Sequence, residues 1–146
     1  MKRDLDLVRQ LLLQIEGLPA GPPAQYRASE IEDPVLLAHF ELVLASGLVN
    51  GKISRSQSSR GDVISISGLT WEGHEWIEMV RSQSVWNETK SMLLDSGGAL
   101  TYELTKVAAT RILRARIDDE GGGDASSQTA LVKREQAGWD STLRDP

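Results

Sequence analysis

The chain has 146 residues, of which 40% are hydrophobic and only seven are aromatic, and this fits one globular domain with a mostly aliphatic core. The absence of cysteine excludes disulfides, thiolate metal sites and a cysteine nucleophile. No stretch approaches the roughly 18 consecutive apolar residues of a membrane span, and the charged first residues do not form a secretory signal. These features predict a cytoplasmic protein with no membrane partner.

The charge is unevenly distributed along the chain. The formal net charge is −5, with −3 over residues 1–83, +2 over 84–117 and −4 over 118–146. Nucleic-acid-binding proteins usually concentrate positive charge on the binding face, because phosphate contacts supply much of the affinity. The nearly neutral body of the chain therefore disfavours DNA binding, although a local basic patch is sufficient for it.

An amphipathic helix is predicted over residues 4–16, because its apolar residues recur at helical spacing and Asp4 is placed to cap it. A connection rich in glycine and proline follows over 17–24 and leads to a short extended piece at 25–27. Residues 27–33 are too few for the helix that precedes the recognition helix in a helix-turn-helix. The usual geometry of that motif is therefore in doubt here.

A second helix is predicted from Pro34 to about residue 46, since an aspartate followed by proline is a strong helix start. This helix is nearly all apolar and contains no Lys or Arg. Its core face is predicted to carry Leu36, Phe40 and Val43. The opposite face carries apolar residues that either contact a partner protein or a second copy, or are covered by the C-terminal helices. The predicted partner-binding residues are Val35, His39 and Leu42.

A β-hairpin is predicted next, with strands over residues 48–55 and 63–67 joined by a polar loop at 56–62. The second strand alternates isoleucine with serine, the pattern of a half-buried strand. The hairpin carries the one feature typical of DNA binding, the cations Lys52, Arg55 and Arg60. These three are the candidate nucleic-acid-binding residues, because cations interleaved with small polar residues suit phosphate contacts. A solvated hairpin tip explains them equally well.

Three further helices are predicted, over residues 71–81, from 84 to the Gly97-Gly98 break, and from 101 to about 117. The acidic, glycine-rich residues 118–146 have no apolar period and are predicted to be largely disordered, with a brief helix over 130–136. The predicted fold is α+β and mostly helical. It consists of a winged-helix-like domain at 1–83 with the hairpin as wing, a helical extension at 84–117 packed on it, and the acidic tail.

The chain resembles a bacterial and prophage family of unknown function. The likeness is carried by the opening Met-Lys-Arg-Asp-Leu-Asp-Leu at residues 1–7 and by Leu-Thr-Trp-Glu-Gly-His-Glu at residues 69–75, and it covers roughly residues 1–117. That family is similar to the YjcQ-like prophage winged-helix proteins. The resemblance therefore implies a winged-helix fold, and it implies no activity, substrate or catalytic residue. In the second block, Gly73 is expected to allow close backbone packing.

The sequence motifs do not predict an enzyme. His74-Glu75 begins like the zinc-protease helix motif, but Glu78 stands where the second histidine is needed. No serine lies in a Gly-x-Ser-x-Gly context, and the glycine runs lack the Lys-Ser/Thr of a phosphate loop. We therefore expect no catalytic residue, no metal and no cofactor.

Two functions from different classes remain. One is a DNA-binding transcription regulator of phage or prophage type, a homodimer that places its wing on the phosphates of double-stranded DNA. The other is a protein-interaction module, a phage accessory factor that binds a host or phage protein. The charge distribution and the apolar helix face favour the second, while the frequency of DNA binding among winged helices favours the first. The sequence places DNA binding slightly ahead.

Overall fold

The structure is a computed structural model that describes residues 1–121. These residues form an α+β fold with five α-helices and one three-stranded antiparallel sheet. The elements in chain order are α1 Leu5–Glu16, β1 Ala24–Arg27, a 3₁₀ turn Ala28–Glu30, α2 Pro34–Ala45, β2 Val49–Ser54, β3 Val63–Leu69, α3 Trp71–Val80, α4 Gln83–Asp95 and α5 Tyr102–Gly121.

The chain divides into two compact units, residues 1–110 and residues 111–146, and the boundary falls inside α5. The predicted boundaries after residues 83 and 117 stay predictions. α5 ends at Gly121, so the predicted helix end near residue 117 was too early. The charged residues 118–120 continue this helix without an apolar period, up to the last described residue. The helix predicted over 130–136 and the disorder predicted for the rest of the tail lie outside the described residues.

The predicted hairpin is confirmed. β2 and β3 are antiparallel, with Val49 opposite Leu69 and Ser54 opposite Val63. β1 pairs with the other side of β3, so the strand order is β1-β3-β2. Ile64 and Ile66 on the central strand are fully buried, which is the outcome expected from their alternation with serine.

The predicted caps of α1 and α2 are confirmed. The side chain of Asp4 accepts hydrogen bonds from the backbone N–H groups of Asp6 and Leu7 at 2.9 and 3.3 Å. The side chain of Asp33 accepts from the N–H of Val35 at 2.8 Å, with a proline in the first turn. Short polar side chains at these positions satisfy N–H groups that have no partner within the helix.

The start of α3 lies against the end of α2. The hydroxyl of Thr70 donates to the carbonyl of Gly47 at 2.7 Å, and the N–H of Thr70 donates to the carbonyl of Leu48 at 3.0 Å. The backbone of Gly73 lies so close to Leu48 that a Cβ atom at Gly73 would overlap its carbonyl oxygen. The close packing predicted for Gly73 is therefore confirmed.

A polar cluster joins α1 to the corner between α3 and α4. The buried guanidinium of Arg9 donates to the carbonyls of Val80 and Arg81, both at 2.7 Å, and so satisfies carbonyl groups at the end of α3. The same group lies 5.9 Å from the ring centre of Trp86. One arginine thus fixes the angle between α1 and the two helices that follow the sheet.

Asp6 completes this cluster. Its carboxylate accepts hydrogen bonds from the indole N–H of Trp86 at 2.6 Å and from the ammonium of Lys90 at 2.9 Å. Burial by itself raises the pKa of Asp6, but the hydrogen bonds from Lys90 and Trp86 outweigh burial and hold that pKa below its usual value. The ionised form of Asp6 therefore stabilises the fold.

The first prediction concerns Gly73. Replacement by alanine forces the backbones of α3 and Leu48 apart, and we expect the free energy of unfolding to fall by about 3 kcal/mol. Urea denaturation measures this loss. Gly17→Ala is the matched control, because the backbone there is helical and an added Cβ meets only ordinary contacts. Equal stability of Gly73→Ala and the parent chain would contradict the close packing.

The second prediction concerns Asp6 and pH. Since the pKa of Asp6 is lower in the folded chain than in the unfolded chain, its stabilisation is complete above the unfolded pKa and is lost as pH falls through the folded pKa. Asp6→Asn should cost about 1 kcal/mol at neutral pH, a modest value because the side chain is half exposed. Denaturation curves from pH 7 to about pH 3 should show this difference shrinking below about pH 4. A difference independent of pH would exclude the ionic role.

Candidate interaction surface

The outer face of α2 is apolar and open to solvent. Val35 is 44% exposed and Leu42 is 37% exposed, and the two residues lie seven positions apart, on one side of the helix. Ala45 is also exposed at the end of the same stripe. Within residues 1–110, no helix covers this face, which is one of the two predicted alternatives for it. The face is available for contact.

An apolar groove runs beside this face, within residues 1–110. Its volume is about 370 Å³. It lies where the beginning of α1, the second half of α2 and the first residue of α5 meet. Its apolar lining includes Leu5, Val8, Leu42, Val43, Leu48 and Tyr102. Since Leu42 belongs to both, the groove and the exposed face form one continuous apolar surface.

Arg3 contributes the charged side chain of the groove lining. In the described part of the chain, Arg3 forms no ion pair. The neighbouring Asp4 is engaged in capping α1. An arginine beside an apolar groove without a carboxylate partner favours a ligand that brings its own negative charge.

His39 does not belong to the exposed surface, contrary to the prediction that grouped it with Val35 and Leu42. Its side chain is completely buried. Its Nε2 accepts the backbone N–H of Asp4 at 2.9 Å, and its Nδ1 lies 2.7 Å from the carbonyl of Val35. Because Nε2 accepts, the proton is on Nδ1, which donates to that carbonyl. His39 therefore ties the start of α1 to α2 and contacts no partner from this position.

The three candidate nucleic-acid-binding cations have different surroundings. Lys52 on β2 and Arg60 in the loop are exposed, and neither forms an ion pair within residues 1–121. Arg55 pairs with Asp62 at 2.7 Å across the hairpin and with Glu41 of α2 at 3.3 Å. The charge of Arg55 is therefore already balanced, and only Lys52 and Arg60 are available for phosphates.

Asp62 fastens the base of the hairpin loop. One carboxylate oxygen accepts a hydrogen bond from the backbone N–H of Ser56 at 3.0 Å, and the other accepts one from the guanidinium of Arg55. The backbone hydrogen bond from Ser56 and then the guanidinium of Arg55 lower the pKa of Asp62, and the hydrogen bond with Asp62 raises the pKa of Arg55. These contacts assign Arg55 and Asp62 a role in shaping the hairpin loop.

The described residues contain no group of three or more histidine, aspartate or glutamate side chains that could hold a metal ion. Each helix of the same described residues is too short or too polar to cross a membrane. The surface itself offers apolar side chains along α2 and the groove, and the guanidinium of Arg3.

Sequence reasoning missed three residues of this surface. Arg3 and Tyr102 line the groove, and Glu41 links α2 to the hairpin through Arg55. Arg3 precedes the first helix and Tyr102 begins the last one, so nothing in the local pattern of either residue indicates that they meet. The Glu41–Arg55 ion pair could have been predicted, because a helix followed by a hairpin places these two elements side by side.

Comparison with known proteins gives a family and no activity. Residues 2–99, about two thirds of the chain, match the family described as "Hypothetical protein (DUF2513)". The chain is also 29% identical over 121 residues to an "Uncharacterized protein" of Haemophilus influenzae, a match that covers 77% of this chain and 96% of the relative. No solved structure matches the chain significantly.

The third prediction concerns His39. Replacement by leucine removes the acceptor for the N–H of Asp4, and the free energy of unfolding should fall by about 2 kcal/mol, the typical cost of an unsatisfied buried group. His39→Gln, which retains an acceptor, should recover part of this loss. Urea denaturation of both variants is the measurement. A His39→Leu variant as stable as the parent would show that the hydrogen bond to Asp4 contributes nothing.

Proposed function

The chain belongs to the DUF2513 family, and from its surface geometry we propose that it is a protein-interaction module that uses a winged-helix scaffold. The observation that carries this proposal is the exposed apolar face of α2 together with the groove beside it. The proposed partner is a host or phage protein, as expected for a phage accessory factor. The proposed contact residues are Val35, Leu42 and Ala45.

The winged-helix part of the proposal is supported by the order and pairing of the elements. The sequence of α1, β1, α2 and the β2–β3 hairpin, with β1 beside β3, corresponds to a winged helix whose second helix is reduced to the 3₁₀ turn Ala28–Glu30. In this arrangement α2 takes the place of the recognition helix and the hairpin is the wing. The likeness to the YjcQ-like prophage proteins is part of the same proposal.

The chemistry of α2 favours a protein over DNA. A recognition helix reads base edges with Arg, Lys, Asn or Gln, and α2 has none of these. Its outward residues are apolar, apart from Glu41, whose carboxylate repels phosphate. Residues 1–110 hold ten Lys or Arg and fourteen Asp or Glu, a formal net charge of −4. Burial of Val35 and Leu42 against a protein stabilises a complex. Against DNA, the same apolar side chains leave the charge of the phosphates without a partner.

DNA binding is the second candidate, and the hairpin is the observation that favours it. Lys52 and Arg60 are exposed on the wing-like hairpin and form no ion pair within the described residues. Two such cations suit contact with a phosphate backbone. They supply few phosphate contacts, and the apolar face of α2 has no role in this function. We therefore rank it second.

The fourth prediction tests the contact face by photocrosslinking in cells of the native host. A benzophenone amino acid at Val35 should give a discrete adduct with another protein, and Leu42→Glu in the same chain should abolish it, because a charge in the centre of an apolar interface is costly. The matched control carries the benzophenone at Glu75, an exposed position on α3. Absence of an adduct at Val35, or identical adducts from both positions, would refute the proposal.

A mobility-shift assay over a salt series separates the two functions. If the chain is a protein-interaction module, we expect any retardation of duplex DNA to be the same with and without the hairpin cations Lys52 and Arg60. Affinity that falls steeply with salt and is lost in the double variant Lys52→Ala, Arg60→Ala would assign the function to DNA. Lys106→Ala on α5 is the control for the single variants Lys52→Ala and Arg60→Ala, since each of the three removes one positive charge. The same gel run with Leu42→Glu shows whether the helix face takes part.

A further inference from the structure

We propose that the groove beside α2 binds an aliphatic carboxylate, with the hydrocarbon chain in the groove and the carboxylate on Arg3. This site goes beyond the proposed interaction with a partner protein, since its ligand is a small molecule. Nothing in the family match or in the Haemophilus influenzae relative assigns a ligand of this kind.

The groove has the size and composition of a small-molecule site. Its volume of about 370 Å³ lies within the range of roughly 300–1,000 Å³ found for ligand pockets, which are mostly apolar with a few placed polar groups. Leu5 and Val8 line it from α1, and Leu42 and Val43 from α2. Aliphatic side chains on facing helices suit a flexible hydrocarbon chain, whose transfer from water is favourable for each methylene buried.

The groove is also held open by rigid neighbours. Tyr102, which lines it, packs against the buried Trp76 with ring centres 5.8 Å apart. The hydrogen bond between His39 and the backbone of Asp4 fixes the start of α1 against α2. These contacts are made between groups of the protein, so little conformational entropy is lost when the groove is filled.

Arg3 selects the charge of the ligand. It lines the groove, and it has no carboxylate partner among residues 1–121. A guanidinium pairs with a carboxylate through two parallel hydrogen bonds, and such charge-assisted bonds are stronger than neutral ones. A cationic amphiphile meets repulsion at the same position. An apolar groove with one unpaired arginine in its lining thus complements an aliphatic chain that ends in a carboxylate.

Isothermal titration of the purified chain with octanoate and decanoate, below their micellar concentrations, tests the site. Decanoate should bind roughly tenfold more tightly than octanoate, because two further methylenes are buried. Arg3→Gln should weaken decanoate binding about tenfold, and decylammonium should not bind. Arg60→Gln on the hairpin is the matched control and should leave the affinity unchanged. Amide chemical shifts should change around Leu42 and Leu48.

A groove-filling variant provides a second readout that does not depend on charge. Ala45 is exposed and lines the groove, so Ala45→Phe should occupy the space and abolish binding, while circular dichroism confirms a folded chain. No saturable binding of decanoate overturns the proposal. So does equal affinity for the parent chain and Arg3→Gln, or equal affinity for decanoate and decylammonium. Each of these results leaves the crosslinking test of the partner surface intact.

Discussion

The groove and the apolar face of α2 depend on one partly buried hydrogen bond, from the backbone N–H of Asp4 to Nε2 of His39. The bond joins the N-cap of α1 to the middle of α2, and its two residues are 35 positions apart in sequence. It thereby places Leu5 and Arg3 beside the second half of α2, where they line the groove. His39 was predicted to contact a partner, but its buried imidazole holds α1 against α2 instead. A buried imidazole needs partners for both nitrogens.

A second polar cluster lies in the first half of α1 and joins it to α3 and α4. Arg9 and Asp6 satisfy carbonyl, indole and ammonium groups of α3 and α4. α1 is therefore fixed along its first half by polar contacts, in addition to its apolar face, which lies in the core. Groups that are buried and fully paired specify one relative position of the helices, whereas apolar contacts alone tolerate several. The groove depends on this rigidity, because it lies between helices and not within one.

The sequence predicted those parts of the fold that depend on local chemistry. The caps at Asp4 and Asp33 and the strand alternation around Ile64 follow from neighbouring residues, and the structure confirms them. The close approach at Gly73 was expected from the family resemblance, and it is confirmed as well. Of the three predicted partner-binding residues, Val35 and Leu42 are exposed and His39 is buried. Helical spacing gives the side of a helix on which a residue lies, and it does not reveal which of two apolar sides a neighbouring element covers. The meeting of Arg3 and Tyr102 depends on tertiary packing alone.

The composition of α2 connects the fold to its use. A helix that is apolar on all sides is normally buried on all sides. α2 packs against α1 and β2, and these neighbours bury Phe40 and Val43, yet Val35 and Leu42 remain exposed. A helix that reads DNA has a polar outer face, and a helix with only a structural role has no need of an apolar one. In the proposed winged-helix arrangement this apolar face lies at the position of the recognition helix, and it supports the proposed contact with an apolar surface of a partner protein over the reading of DNA.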